Sequence, residues 1–171
     1  MTLLKYISSF FLDQEHLEKK EFLAKLPIFK GLGRVDFVHL MQVLQERTYL
    51  KDEVMFSEGD IGRALFIVLS GSVQIRRSIG GEEKVIATVN SGEIFGEMAL
   101  LEEMPRTASA VAGEKTRVFM LYKCRLDALL YEYPSIGVVV IHYLAQTLSA
   151  RLRANIEGRN DDASRAEQKK S

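Results

Sequence analysis

The sequence predicts a mainly β chain of the α+β class, an antiparallel roll or barrel with helices at both ends. Three observations carry this. Eight of the 12 glycines fall between Gly59 and Gly113, so turn-forming residues crowd the middle of a 171-residue chain. Between those glycines lie short runs rich in Val, Ile, Phe and Thr, the composition of half-buried strands bounded by turns. On either side the apolar residues recur at three- and four-residue spacing, the period of helices. The chain is about the size of one domain and can bury a real core.

Taken in order, Met1–Leu12 is largely apolar but interrupted by Lys5, and Leu3, Ile7 and Phe10 share one helical face. With Lys5 inside it and no small-residue cleavage site after it, the segment reads as a docking helix rather than a leader. Leu17–Leu26 and Val35–Gln45 read as helices, separated by Pro27 and by Gly31 and Gly33. Strands are expected at Ala64–Leu69, Ser72–Ile79, Lys84–Val89, Thr107–Ala112 and Thr116–Tyr122. Gly80-Gly81 joins two of them as a hairpin turn. Lys123–Tyr133 forms a short helix that Pro134 stops. Ser135–Ile156 forms a longer one, with Val140, Leu144, Leu148, Leu152 and Ile156 on a stripe that drifts around the axis. That drift turns one end toward the roll and the other toward a partner. Gly158 suits a C-cap, and Asn160–Ser171 reads as a polar, unstructured tail.

Composition narrows the function. Lys plus Arg and Asp plus Glu both number 23, so no basic field favours nucleic acid. One Cys, Cys124, leaves no internal disulfide and no thiolate-rich zinc site; it reads as a small buried residue near a helix start. The apolar run Gly137–Ile141 is far short of the ~20 residues of a membrane span, so the chain is placed in the cytoplasm. His16, His39 and His142 are widely separated and show no metal-ligand spacing. Gly31-Leu32-Gly33 lacks the third glycine of a dinucleotide fingerprint, and Ser70 lacks the glycines of a nucleophile elbow. The chain is read as no enzyme.

One segment carries chemistry of another kind. Gly92 and Gly96 bracket the short run Glu93-Ile94-Phe95, and Gly96 opens a helical turn over Glu97-Met98-Ala99-Leu100-Leu101. A glycine entering such a turn lets backbone N–H groups approach an anion. Arg106 follows on a loop stiffened by Pro105, ahead of Thr107. Its guanidinium is a fork of donors that matches phosphate oxygens. The carboxylate of Glu97 is a double acceptor suited to a sugar hydroxyl. Donor fork, acceptor and amide cluster together suit a sugar-phosphate.

At these residues the sequence resembles a known family. Gly96-Glu97-Met98-Ala99-Leu100 with Pro105-Arg106-Thr107-Ala108 is similar to the phosphate-binding cassette of cyclic nucleotide-binding domains, the type found in the catabolite activator protein, protein kinase A regulatory subunits and gated channels. The resemblance extends over Asp60-Ile61-Gly62-Arg63-Ala64-Leu65-Phe66 through Ser70-Gly71-Ser72-Val73 and the Leu26-Pro27-Ile28-Phe29 opening. It implies an eight-stranded antiparallel, jelly-roll-like β-roll with N-terminal helices and a C-terminal helix pair. The implied organisation is a helical segment over 1–25, the nucleotide-binding domain over 26–157 and the tail over 158–171. It implies that Glu97 binds the ribose 2′-hydroxyl, Arg106 the cyclic phosphate, Gly96, Met98 and Ala99 supply backbone donors, and Thr107 touches phosphate or base. Ile75, Ile86 and Val89 are expected against ribose and base, and Asn155 on the last helix is expected to cap the base. The ligand expected is cyclic AMP, with cyclic GMP the alternative. The chain then acts as a sensor that moves its C-terminal helix toward an effector protein or a second copy. A transcription-regulator type of domain without its DNA-binding part is the other reading. Neither DNA nor a membrane is expected as a partner of this chain.

Overall fold

The computed structural model describes the backbone of residues 17–168 and the side chains of residues 17–153. The amphipathic reading of Met1–Leu12 lies outside the described residues. Residues 17–24 are helical (α1), a 3₁₀ turn covers Pro27–Phe29, and α2 covers Arg34–Val43. Eight strands follow: β1 Gln45–Tyr49, β2 Val54–Phe56, β3 Ala64–Ser70, β4 Ser72–Ile79, β5 Glu82–Asn90, β6 Ile94–Phe95, β7 Ser109–Ala112 and β8 Thr116–Tyr122. A 3₁₀ turn at Glu97–Leu100 interrupts them, and α3 (Lys123–Glu132) and α4 (Pro134–Gln168) complete the order. The strands form two four-stranded antiparallel sheets, β1-β8-β3-β6 and β2-β7-β4-β5. This is the eight-stranded roll with flanking helices that the resemblance implies.

The apolar run of β3 is continuous because the strand is buried on both faces. Leu65 and Ile67, with Phe119 and Leu121 of β8, face the helices and join Leu23, Ile28, Leu40, Leu126, Ile136, Val140 and Leu144. Ala64, Phe66 and Val68, with Val118 and Met120, face into the roll and join Val73, Phe95, Ala110 and Ala112. Period-two alternation thus splits one pair of strands between two cores. The hairpin β4–β5 turns at Gly80 and Gly81, whose φ values of 65° and 88° fit the left-handed geometry such turns need.

The structure corrects several expectations. β1 and β2 were not among the expected runs, and α2 stops at Val43, so Gln45 opens a strand instead of closing a helix. In β1 only Tyr49 is buried, so its sequence carries no apolar alternation to read. β7 begins at Ser109, not Thr107: Arg106 N–H donates to the Asp60 carbonyl at 2.7 Å and an Ile61–Pro105 bridge holds this loop off the sheet. Cys124 is exposed, on the first turn of α3. α4 begins at Pro134, a favoured first helical residue. It then runs through Gly158 to Gln168, so Gly158 is no C-cap and residues 158–168 are helical. Glu157, Ala163, Arg165, Ala166 and Glu167 are good helix formers, and polarity alone does not oppose a helix. One interior glycine costs only about 1 kcal/mol.

An ion-pair network ties α1 to the roll. Glu46 of β1 meets Lys19 Nζ at 2.6 Å and Arg117 Nη2 of β8 at 2.6 Å. Partial burial works to raise the Glu46 pKa, but the bonds and charges of Lys19 and Arg117 outweigh it and hold the carboxyl below its usual range. A depressed carboxyl contributes stability above the unfolded pKa near 4.3, and that stability is lost as pH falls through the folded value. We expect Glu46→Gln to lower the denaturation midpoint at pH 7, with the gap to the native chain closing below about pH 4. A gap that stays constant across a pH series of urea melts would contradict the ion-pair assignment.

Candidate functional site

A cavity of about 400 Å³ opens between the Glu97–Leu100 turn, β4, β5 and α4. Gly96 makes the turn possible. Its φ of 68° lies in the left-handed region, and a Cβ there would meet Arg106 Nη1 at 2.7 Å. Gly62 is needed for a second reason, since a Cβ would sit 2.9 Å from Ala99 Cβ and 3.3 Å from Arg106 Cζ. Two glycines thus make room for one guanidinium.

Arg106 is held from three sides. Nη1 donates to the Gly96 carbonyl at 3.0 Å and Nη2 to the Ala64 carbonyl at 2.7 Å. Its Cζ lies 4.1 Å from the Phe56 ring centroid and 5.8 Å from that of Phe66. Phe56 and Phe66 pack with Phe95, so the guanidinium rests on an aromatic wall of the roll. Burial pulls its pKa below the ordinary arginine value, while the Glu97 and Asp60 carboxylates oppose that shift. The group stays charged in any working buffer. Two of a guanidinium's five N–H donors hold the backbone carbonyls, which leaves three.

Glu97 is the acidic residue of the site and is only 3% exposed. A carboxylate this buried needs a partner, and Arg151 of α4 supplies it: Nη1 donates to Glu97 Oε1. The arginine side chain remains half exposed at the cavity mouth, while the carboxylate is enclosed. The pair joins residues 54 apart and fastens the last helix to the turn. Opposite the charged residues, Ile75, Ala87 and Val89 form an apolar wall.

Of the expected site residues, Gly96, Glu97, Met98, Ala99, Arg106, Thr107, Ile75 and Val89 all line this one cavity. Thr107 is exposed on the loop before β7. The Ala99 N–H already donates to the Gly96 carbonyl, at a long 3.3 Å. Ile86 does not line the cavity and is corrected: it is 51% exposed. Pairing of β4 with β5 jumps from Ile75–Ala87 to Arg76–Val85, so Ile86 is the unpaired residue of a bulge. Ala87 lines the cavity two residues from Val89, on the same face of the strand. Asn155 lies in α4, and its side chain is outside the described residues. Arg151, one turn earlier, is the α4 residue that reaches the cavity. Gly62, Phe56 and Glu102 also line it and were not read from sequence as site residues. Among the described residues, no group of His, Cys, Asp and Glu is placed to hold a metal ion. No helix among them is long and apolar enough to cross a membrane.

The cyclic nucleotide-binding domain family model matches residues 46–133, from β1 to the end of α3. This chain belongs to the cyclic nucleotide-binding domain family. It is 40% identical over 128 residues to the cyclic AMP receptor protein of Thermus thermophilus, covering 74% of this chain and 57% of that relative. The chain thus spans little more than half the length of that protein. A cyclic nucleotide-binding domain from Methylobacillus flagellatus superimposes with a TM-score of 0.71 at 32% identity, covering 82% of this chain and 80% of that one. The regulatory domain of Toxoplasma gondii protein kinase A, crystallised with cyclic AMP, gives a TM-score of 0.59 at 30% identity, over 64% of this chain and 42% of that one.

Proposed function

We propose that this chain is a non-catalytic cyclic AMP sensor whose output is the position of α4. The observation that carries the reading is one cavity holding an anchored guanidinium and an enclosed carboxylate, with an apolar wall across from them. Arg106 then takes the cyclic phosphate and Glu97 the ribose 2′-hydroxyl, while Ile75, Ala87 and Val89 cover the apolar parts of sugar and base. The co-crystallised protein kinase A domain supports cyclic AMP as the ligand class.

The Glu97–Arg151 pair supplies the link to output. A hydroxyl donating to the Glu97 carboxylate competes with Arg151 for the same oxygens, so binding shifts the contact that fastens α4. α4 is suited to transmit the shift. Ile136, Val140 and Leu144 bury one face against the core. On another face Val138, Ile141, Ala145, Leu148 and Leu152 repeat at three and four residues, and Val138 and Leu152 are 70% and 62% exposed. That is a heptad seam, and a second copy of the chain is the partner it suits.

Calorimetric titration with cyclic AMP and cyclic GMP tests the ligand. We expect one cyclic AMP per chain, bound more tightly than cyclic GMP. Deletion from Arg151 onward is expected to weaken cyclic AMP binding more than deletion of Asn160–Ser171. Equal effects of the two truncations would remove α4 from the account, and heat-silent titrations with both nucleotides, confirmed by equilibrium dialysis, would refute the ligand.

A further inference from the structure

Arg106 walls two cavities, not one. A second groove, of about 440 Å³, lies between β1, β2, β3 and β8 and shares both Arg106 and Phe56 with the first. Besides Arg106 it is lined by Arg47 and Arg63. Three guanidiniums are thus gathered on a chain whose formal net charge is zero.

Arg106 is anchored to the Gly96 and Ala64 carbonyls, so Arg47 and Arg63 are the two cations left to meet a ligand. Arg47 forms an ion pair with the partly buried Glu53 at 3.4 Å, and its guanidinium lies 4.4 Å over the Tyr49 ring centroid. Arg63 is exposed and has no side-chain hydrogen bond or ion pair among the described residues. Asp60 is the carboxylate of the lining, and it accepts the Ser57 N–H at 2.7 Å, reaching back across the Ser57–Asp60 turn. The groove therefore carries an excess of positive charge. Its walls are apolar and half-buried: Met55, Phe56 and Tyr122.

Cationic rim and aromatic wall together select a ligand class. A bare inorganic anion uses only the rim, and a neutral aromatic only the wall. A small aromatic carboxylate uses both, with its carboxylate on the Arg63 and Arg47 guanidiniums and its ring against Phe56 and Tyr122. We propose that this groove is a second binding site, for a small aromatic carboxylate, separate from the nucleotide cavity and sharing Arg106 with it. A carboxylate held by Arg63 and Arg47 places a negative charge in a groove that Arg106 also lines, so like-charge repulsion weakens binding of an anionic ligand in the front cavity.

The loop geometry adds a second connection. The Gly59 N–H donates to the Arg106 carbonyl at 2.9 Å, the Arg106 N–H to the Asp60 carbonyl, and the Gly62 N–H to the Met104 carbonyl at 3.1 Å. The rim of the second groove and the loop that positions Arg106 are one hydrogen-bonded unit.

Phenylacetate is the probe. In ¹⁵N-resolved NMR titrations of the full chain, it is expected to bind in the millimolar range and shift amides around Arg63, Arg47 and Tyr122. Arg63→Ala removes an exposed, unpaired side chain, leaves the fold intact and is expected to weaken phenylacetate at least about fivefold. That part needs no nucleotide, so it stands or falls apart from the proposed function. At about five times its native dissociation constant, phenylacetate is further expected to weaken cyclic AMP severalfold in the native chain and at most about twofold in Arg63→Ala. Absence of any phenylacetate shift, or shifts and affinity unchanged in Arg63→Ala, overturns the site. Equal competition with cyclic AMP in both chains overturns it as well, because it puts the probe in the front cavity.

Discussion

Replacing Arg106 with alanine is expected to weaken cyclic AMP binding by at least about tenfold. That floor lies below the roughly thirtyfold that corresponds to about 2 kcal/mol, the lower end of the about 2–5 kcal/mol that losing a desolvated charge partner costs. The guanidinium is half-buried, anchored to the Gly96 and Ala64 carbonyls and laid on Phe56, so it meets a phosphate without having to be ordered first. The fold survives its loss. Two carbonyl bonds from a charged donor contribute about 1.5–3 kcal/mol each and the aromatic contact about 0.5–1 kcal/mol, against a typical domain stability of about 5–15 kcal/mol. Arg106→Lys separates charge from geometry. It keeps the cation but cannot hold both carbonyls and fork a phosphate, so its affinity should fall between native and alanine. A folded Arg106→Ala chain that binds cyclic AMP with native affinity would remove the phosphate from this position.

Glu97→Gln is expected to weaken cyclic AMP by roughly tenfold or more, as a hydrogen bond to a charged group contributes about 1.5–3 kcal/mol. The substitution is nearly isosteric, and the Arg151 it abandons has a side chain that is half exposed and is taken up by water. The ribose supplies the complementary change. A 2′-deoxy analogue lacks the hydroxyl, so analogue and substitution remove the same interaction and their effects should not add. Full additivity would mean that Glu97 acts on something other than the 2′-hydroxyl. Arg151→Ala probes the other end of the pair. It strands an enclosed carboxylate, so it should lower chain stability as well as loosen α4, whereas Glu97→Gln should do mainly the latter.

What was legible in the sequence was local. Gly96, Glu97, Pro105, Arg106 and Thr107 lie within a dozen residues and together resemble a family cassette, and the structure brings all five to one cavity. β4 and β8 were readable end to end because their apolar patterns are bounded by glycines and turns. β1 was not, because Gln45-Glu46-Arg47-Thr48 is polar and its strand identity comes from pairing with β8, more than 60 residues on in register from Gln45–Met120 to Tyr49–Thr116. Ile86 was misplaced because alternation assumes an unbroken ladder, and a bulge shifts the phase by one residue. Arg151 was passed over in favour of Asn155 because its partner is set by how α4 lies across the roll, which no local pattern encodes. Gly62 was missed as a site residue for the same reason, since the guanidinium it makes room for is 44 positions away by number.

The most direct measurement is a crystal structure of the chain with cyclic AMP. The account predicts one nucleotide in the front cavity, cyclic phosphate oxygens within hydrogen-bond distance of the Arg106 guanidinium, and the 2′-hydroxyl on the Glu97 carboxylate. Arg151 should be displaced from Glu97 or share it with the ribose. A nucleotide bound elsewhere, or one in the cavity with no contact between its phosphate and Arg106, would contradict it.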